Sequence, residues 1–254
     1  METEFQTLPA EALRSAMQPS AESGSEMAFL ALLRRQGKPL DGLTREFNLY
    51  PIRYAHPSWI PNGWDRAKAL CGQVPGRPEV RLSIKLLLHW DLADQTCFSF
   101  GEVSRRIALA DPATLERTAF LGGLAVHWES ISRILEREAV QEIRGEIGTE
   151  AYRFSLFRAP ILVGNPPVVS GIAIGERGFT GITERMRRIG LELIADCMAG
   201  SPRALRARLA LKFPREFADL FLADHPGSAN ARIWRLVKSI LIQEVDPSWE
   251  PLLT

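Results

Sequence analysis

The stretch YAHPSWIP, residues 54 to 61, places an imidazole, an indole and a phenol beside two prolines. His56 lies between Tyr54 and Trp59, an arrangement that a general base or a ligand-binding loop could use. No Asp, Glu or Cys lies within the stretch to orient the imidazole. The residues therefore leave two interpretations open, a catalytic loop or a rigid structural corner.

The prolines favour the structural interpretation. His56 and Ile60 each precede a proline, which disfavours helical backbone at both and favours an extended conformation. A stiff segment loses little conformational entropy on folding, so it can hold a tryptophan firmly against a core or a partner. We therefore interpret the segment as an extended, proline-rich corner made by Tyr54, His56, Pro57, Trp59 and Pro61.

The remaining candidates for chemistry have simpler explanations. His89 and His127 each precede a tryptophan inside a predicted helix, without the short ligand spacings of zinc sites. The 3 cysteines are widely spaced and odd in number, which argues against a disulfide framework. Neither a Gly-x-Ser-x-Gly elbow nor a phosphate-binding loop occurs. The sequence predicts no catalytic residue, no metal ligand, no cofactor and no small-molecule substrate.

Composition bounds the class of protein. The 254 residues are 46% hydrophobic and 24% charged, which is ordinary for a globular chain. The net charge of +1 gives no global attraction to nucleic acid. Between Arg158 and Glu176 there is an uncharged run, but it is short for a membrane span and contains two adjacent prolines. We expect a cytoplasmic protein that does not insert into the membrane.

Helix signals recur along the chain. Asp111 and Pro112 predict a helix start, followed by one long helix or a hairpin bent near Gly122 and Gly123. The spacing of SFGE, residues 99 to 102, predicts a capping box for the next helix. Further helices are predicted over 78–92, after Thr149 and after Ser201. The clearest helix carries an apolar stripe formed by Ile233, Leu236, Val237, Ile240 and Leu241.

These signals predict an all-α fold. A short strand pair is allowed only near residues 167–175, within PPVVSGIAIG. Residues 1–40 include the small, polar stretch QPSAESGSE, which is typical of a flexible linker. We expect a flexible N-terminal appendage over 1–40 and a single compact helical domain over 41–254.

Charge is distributed unevenly along the domain. Eight acidic and four basic residues lie between Asp111 and Glu150, whereas nine basic and four acidic residues lie between Glu176 and Arg215. The strongest basic cluster is predicted to bind a protein partner with an acidic surface, and it consists of Arg203, Arg206, Arg208 and Lys212. Two alternatives stay open: the acidic and basic halves attract each other within the fold, or the Arg-rich region 177–215 binds nucleic acid.

Three stretches resemble one known family. FNLYPIRYAHPSWIP (47–61), the segment GTEAYRFSLFRAP (148–160) with the helix before it, and IWRLVKSILIQEVDPSWEPLL (233–253) are similar to the K proteins of bacterial type III secretion systems, the YscK/PscK/SctK group. The resemblance covers about residues 45 to 254. Its motifs combine aromatic, proline and glycine positions, so they are structural rather than catalytic.

The resemblance implies a non-enzymatic adaptor of the cytosolic sorting platform, peripheral to the inner-membrane secretion apparatus. Its implied partners are the cytoplasmic domain of the SctD-type inner-membrane ring protein and the C-ring-like SctQ-type protein. Nucleic acid is not an implied partner. The alternatives are a nucleic-acid-binding helical regulator, and an enzyme of another type that would use His56 with an acid from elsewhere in the fold.

Overall fold

The computed structural model describes residues 40–64, 77–92, 97–164, 179–223 and 230–254. All regular secondary structure in these ranges is helical, which confirms the all-α prediction. The strand pair allowed near 167–175 and residues 1–39 of the predicted appendage lie outside the described residues. The predicted domain boundary therefore stays a prediction.

Short helices dominate the described ranges. The α-helices are α1 (Leu40–Leu49), α2 (Pro51–Tyr54), α3 (Arg77–His89), α4 (Pro112–Val126), α5 (Trp128–Ser132), α6 (Arg137–Ile147), α7 (Thr149–Phe157), α8 (Ala159–Val163), α9 (Ile182–Cys197), α10 (Arg203–Ala210), α11 (Ala218–Leu222), α12 (Ala231–Ile240) and α13 (Glu250–Leu253). The 3-10 helices are Pro57–Trp59, Val103–Leu109, Arg215–Phe217 and Pro247–Trp249, and a π-helical turn spans Leu241–Val245.

The most extensive helix pair is formed by α4 and α9, which cross in close backbone contact. A Cβ atom on Gly190 of α9 would lie 1.6 Å from the carbonyl oxygen of Ala119. A Cβ atom on Gly123 of α4 would lie 2.0 Å from the carbonyl oxygen of Met186. Only residues without a side chain permit backbones to approach this closely. The glycines therefore set the distance between the two central helices.

Helix α12 packs against both members of this pair. The apolar stripe predicted for it is confirmed, because Ile233, Leu236, Val237, Ile240 and Leu241 are all buried. Among the described residues, no helix is both long enough and apolar enough to cross a membrane.

Helix α4 begins as the sequence predicts and ends where it does not. The Asp111 side chain accepts a hydrogen bond from the Thr114 backbone N–H, which confirms the predicted cap. The helix continues through Gly122 and Gly123 and ends at Val126, so both predicted alternatives, one long helix and a hairpin bent near these glycines, are wrong. Their role is the contact with α9, which the sequence of one helix cannot reveal.

The capping box predicted at residues 99–102 is also wrong. The segment after Glu102 forms a 3-10 helix, and the Glu102 side chain makes no capping bond to the backbone. Its carboxylate instead accepts a hydrogen bond from the Ser104 hydroxyl and pairs with Arg105. Side-chain partners have thus replaced the backbone partner that the spacing suggests.

Two Pro-Ser-Trp tripeptides adopt the same local structure. Pro57–Trp59 and Pro247–Trp249 are both 3-10 helices, and both tryptophans are buried. The residue before each proline, His56 or Asp246, accepts a hydrogen bond from the serine N–H two positions later. His56 and Ile60 have extended backbone, as residues before proline should, but the three residues between them form a helical turn.

The close crossing leads to a stability prediction. Gly190→Ala should lower the free energy of unfolding by about 3 kcal/mol or more, the upper part of the overpacking range, because the obstacle is backbone rather than a movable side chain. Gly145→Ala on the exposed face of α6 is the matched control, since a Cβ atom there meets nothing within 4 Å. It should stabilise by about 0.5–1 kcal/mol. Denaturant unfolding measures both, and equal effects would refute the close crossing.

A second prediction concerns Trp59, which is 3% exposed and donates from Nε1 to the carbonyl oxygen of Phe213 at 2.9 Å. Trp59→Ala should cost about 3–5 kcal/mol of stability, as large aromatic deletions in cores do. His56→Ala, which removes only the cap on the turn, should cost about 1 kcal/mol. Thermal unfolding compares the two variants. An unchanged melting temperature for Trp59→Ala would mean that the indole does not anchor the corner.

Candidate binding site

A pocket of about 640 Å³ opens where the N-terminal helices meet the C-terminal turn. Five separate parts of the chain contribute to its wall, so it exists only in the complete fold. The lining residues are Gly42, Leu43, Glu46, Phe47, Arg53, Tyr54, Leu109, Asp111, Pro112, Lys212, Asp246 and Trp249.

Lys212 lies in the wall of this pocket and is 3% exposed. Its Nζ atom donates to the carbonyl oxygens of Ala108 at 2.7 Å and Ala110 at 2.5 Å. These carbonyls belong to the end of the 3-10 helix Val103–Leu109, where the helix leaves acceptors without internal partners. A cation at a helix C-terminus is also favoured by the helix dipole. Lys212 therefore caps the C-terminal end of this 3-10 helix.

Two aromatic rings complete the environment of the ammonium group. Nζ lies 5.3 Å from the centre of the Phe47 ring and 4.9 Å from that of Tyr54. Such distances give a cation–π attraction. The Tyr54 hydroxyl donates to the carbonyl oxygen of Phe47 at 2.6 Å, which fixes both rings relative to each other. Burial raises the pKa of this phenol, so it stays protonated.

The charges near Lys212 act on its pKa in opposite directions. Burial lowers the pKa to about 7, while the carboxylates of Asp111 and Glu46 act to raise it. At Asp111 burial acts to raise the pKa, but the hydrogen bonds from Thr114 and the charge of Lys212 outweigh it, and the result is a lowered pKa. Asp111 is thus an ionised carboxylate at neutral pH.

Arg53 has its own carboxylate partner. It donates from Nε and Nη2 to the two carboxylate oxygens of Glu79, at 3.1 and 2.5 Å. The bond from Glu79 raises the pKa of Arg53, and burial opposes this. A bidentate pair of this kind has a specific geometry and fixes α2 against α3. This pair was not predicted from the sequence, because Arg53 and Glu79 lie on separate helices and their spacing along the chain does not indicate that they meet.

The four basic residues that were predicted to bind a partner differ in their exposure to solvent. Arg203 is exposed, whereas Arg206, Arg208 and Lys212 are 7%, 2% and 3% exposed. Arg206 donates to the carbonyl oxygens of Phe221 and Ala223, and Arg208 donates to that of Ala204. Three of the four thus have carbonyl partners within the fold. Partner binding by this set stays a prediction, and only Arg203 among them offers an exposed side chain.

This burial also bears on the two alternatives for the basic half. Nucleic-acid binding needs cations that can reach phosphates, and three of the cations in region 177–215 face the interior instead. Carbonyl oxygens accept hydrogen bonds from the three buried cations. The burial of these cations can therefore be explained without an attraction between the acidic helix α6 and α10. Helix α6 packs against α7 and α9.

Of the five corner residues, Tyr54 alone is among those that line the pocket. Tyr54 ends α2 and lines the pocket, and Trp59 lies in the core. The backbone N–H of His56 donates to the carbonyl oxygen of Leu211, and the Ser58 hydroxyl accepts from the Arg215 N–H. Pro57 is exposed and Pro61 is half-buried. The corner therefore joins the N-terminal helices to the segment that carries Lys212.

The surroundings of His56 bear on a catalytic role. Its Nδ1 lies 2.9 Å from the Ser58 hydroxyl, and it accepts from the Ser58 N–H. Its partners are therefore those of a turn cap. Among the described residues, no group of three or more His, Cys, Asp or Glu side chains could hold a metal ion.

The pKa of Lys212 gives a pH-dependent prediction. Between about pH 7 and the ordinary lysine value of 10.5, the unfolded chain holds a proton that the folded chain lacks, so rising pH stabilises the fold. The free energy of unfolding of the native chain, minus that of Lys212→Met, should therefore rise by up to about 1.4 kcal/mol per pH unit in this window. Denaturant unfolding at several pH values measures it, with half-exposed Lys238→Met as control. A constant difference would show that the buried ammonium stays charged throughout.

Comparison with known proteins identifies the family. No curated protein and no solved structure is similar enough to match the chain. One family model matches residues 43–252, which is most of the sequence, and its description is YOP proteins translocation protein K (YscK). The matched region includes the corner, the crossing of α4 and α9, and every residue that lines the pocket except Gly42. The chain belongs to the YscK family of type III secretion proteins.

Proposed function

We propose that the protein is a non-enzymatic adaptor of the cytosolic sorting platform of a type III secretion system. It links the cytoplasmic domain of the SctD-type ring protein to the SctQ-type C-ring-like protein, and it is cytoplasmic and peripheral to the inner membrane. The observation that carries this proposal is the family match over residues 43–252. The domain over 41–254 is the adaptor body, and residues 1–40 are its appendage.

The roles of the family-like motif residues support an adaptor. Asn48 donates to and accepts from the backbone of Cys97, at 2.7 and 2.9 Å. Tyr54 and Trp59 make the internal bonds to Phe47 and Phe213 described above. These side chains hold the scaffold together instead of forming a reaction centre. The function then depends on the outer surface that the scaffold presents.

One part of that surface is apolar. Leu135, Phe157 and Ile161 are 88%, 65% and 73% exposed, and we call them the apolar surface. Phe157 and Ile161 lie four residues apart on the consecutive helices α7 and α8, and both helices contact α5, which Leu135 follows closely. Exposed apolar side chains that cluster on a protein surface mark sites of protein–protein interaction. We assign the apolar surface to one of the two partners.

Arg203 is the other candidate contact. It lies at the start of α10 and is exposed, so it can meet an acidic surface without disturbing the buried cations that follow it. Two docking surfaces of different chemistry suit a protein that joins two different neighbours.

Co-purification tests the proposal. The full chain should bind both the SctD-type cytoplasmic domain and the SctQ-type protein, and Phe157→Ser/Ile161→Ser should weaken one of the two complexes by about tenfold or more, as loss of an interface anchor does. Arg203→Glu should weaken the other complex, more strongly at low salt. Leu88→Ser, at a position 47% exposed on α3, is the matched control and should bind both normally. Failure of the native chain to bind either protein would refute the adaptor role.

A further inference from the structure

Helix α12 presents a face of one charge sign to solvent. Its apolar stripe is buried, and the opposite side carries Arg232 and Arg235, which are exposed, and Lys238, which is half-exposed. We call these three residues the cationic face. They follow one another at intervals of three positions, so they lie side by side on the helix surface. No acidic residue occurs from Ala231 to Gln243, and the face is therefore purely basic.

The fold supplies no carboxylate to neutralise the cationic face. Arg133, Arg153 and Arg188 each pair with a glutamate three or four positions away. Within the ranges that the structure describes, no residue of the cationic face has such a partner. The first acid after α12, Glu244, is already paired with Arg158 at 2.8 Å. The positive charge of this face is thus available to a partner.

Apolar side chains border the cationic face. Trp234 is half-exposed and lies four residues before Lys238, so the two share one side of α12. Ile242 is also half-exposed and follows in the π-helical turn that continues the helix. An indole combines an apolar ring with an N–H donor, which suits the boundary between water and lipid headgroups.

The single charge sign favours an anionic bilayer over a folded protein as the partner. Surfaces of soluble domains intersperse acidic and basic residues, so such a surface would bring like charges against part of the cationic face. An anionic leaflet presents one sign of charge over an area wider than the helix. The apolar stripe of α12 is buried in the core, which restricts the contact to the headgroups and excludes insertion of the helix.

We propose that the cationic face binds the headgroups of anionic phospholipids at a membrane surface, with Trp234 at the headgroup boundary. Each cation close to an anionic leaflet strengthens binding by about fivefold, so the three together contribute roughly 100-fold. The contact is reversible and orients the protein on the membrane. It rests on the charge of α12 and not on either protein partner, so this proposal and the adaptor role can fail separately.

Co-sedimentation with lipid vesicles tests the proposal in the full chain. At low salt the native chain should bind vesicles of equal parts phosphatidylglycerol and phosphatidylcholine, but not vesicles of phosphatidylcholine alone. Arg232→Gln/Arg235→Gln/Lys238→Gln should lower the partition coefficient by roughly 100-fold. Added salt should weaken binding by the native chain, because it screens exposed charges.

The matched control removes three exposed cations outside α12. Arg133→Gln/Arg137→Gln/Arg144→Gln changes the net charge by the same amount and should bind the anionic vesicles as the native chain does. Thermal unfolding checks that both triple variants are folded. Equal vesicle binding by the two triple variants, or no binding of the native chain to anionic vesicles, would overturn the proposal.

Fluorescence quenching measures the orientation of the bound protein. Anionic vesicles that contain a phospholipid with a spin-labelled headgroup should quench the native chain more than Trp234→Phe. Trp128→Phe, at a half-exposed position on α5, is the control and should keep the quenching of the native chain. If the native chain ignores vesicles and the α12 substitutions impair co-purification with a protein partner, the cationic face binds an acidic protein, and the proposal is equally overturned.

Discussion

The close approach of α4 and α9 is the constraint on which the other features depend. Two glycines, Gly123 and Gly190, let the helix backbones touch, and α12 packs across the pair that results. The start of α4 places Asp111 at the pocket, and the chain that leaves α9 reaches Lys212 through α10. A wider separation would displace the two sides of the pocket relative to each other. The spacing of two helices thus determines the geometry of a site formed beyond their ends.

A second feature that recurs in the structure is the hydrogen bond from a buried cation to a backbone carbonyl oxygen. Arg106, Arg206 and Lys212 are buried and donate to carbonyl oxygens, several of which end a helix or a turn. Burial of a charge is costly unless hydrogen bonds replace its hydration. Carbonyl groups at helix ends need donors for the same reason. Each cation here therefore satisfies acceptors that would otherwise be left without partners, and Arg106 and Lys212 also join segments that are distant in sequence.

Local signals in the sequence were sufficient for the helical class, the cap at Asp111 and the stripe of α12, because each depends on neighbours within a few residues. They were insufficient for Gly123 and Gly190, whose role lies in a contact between two helices. They also suggested a basic docking face where Arg206, Arg208 and Lys212 turn inward, since charge usually indicates solvent. The pocket could not be anticipated, because its wall is assembled from five segments whose proximity only the tertiary fold establishes.

The corner at residues 56–59 also has a consequence for the order of folding during synthesis. His56, Ser58 and Trp59 bond to Leu211, Arg215 and Phe213, and the Trp59–Phe213 bond spans 154 residues of sequence. At about 5–20 residues per second, a ribosome needs roughly 8–30 s to make the intervening chain. Helices α1 and α2 therefore emerge long before the segment around Lys212 that the corner binds, although their other packing partners, α3 and the 3-10 helix Val103–Leu109, follow soon after. Until the α10 region leaves the ribosome, the corner lacks the backbone groups of residues 211–215 that bond to it, so the final packing of Trp59 is a late step of folding.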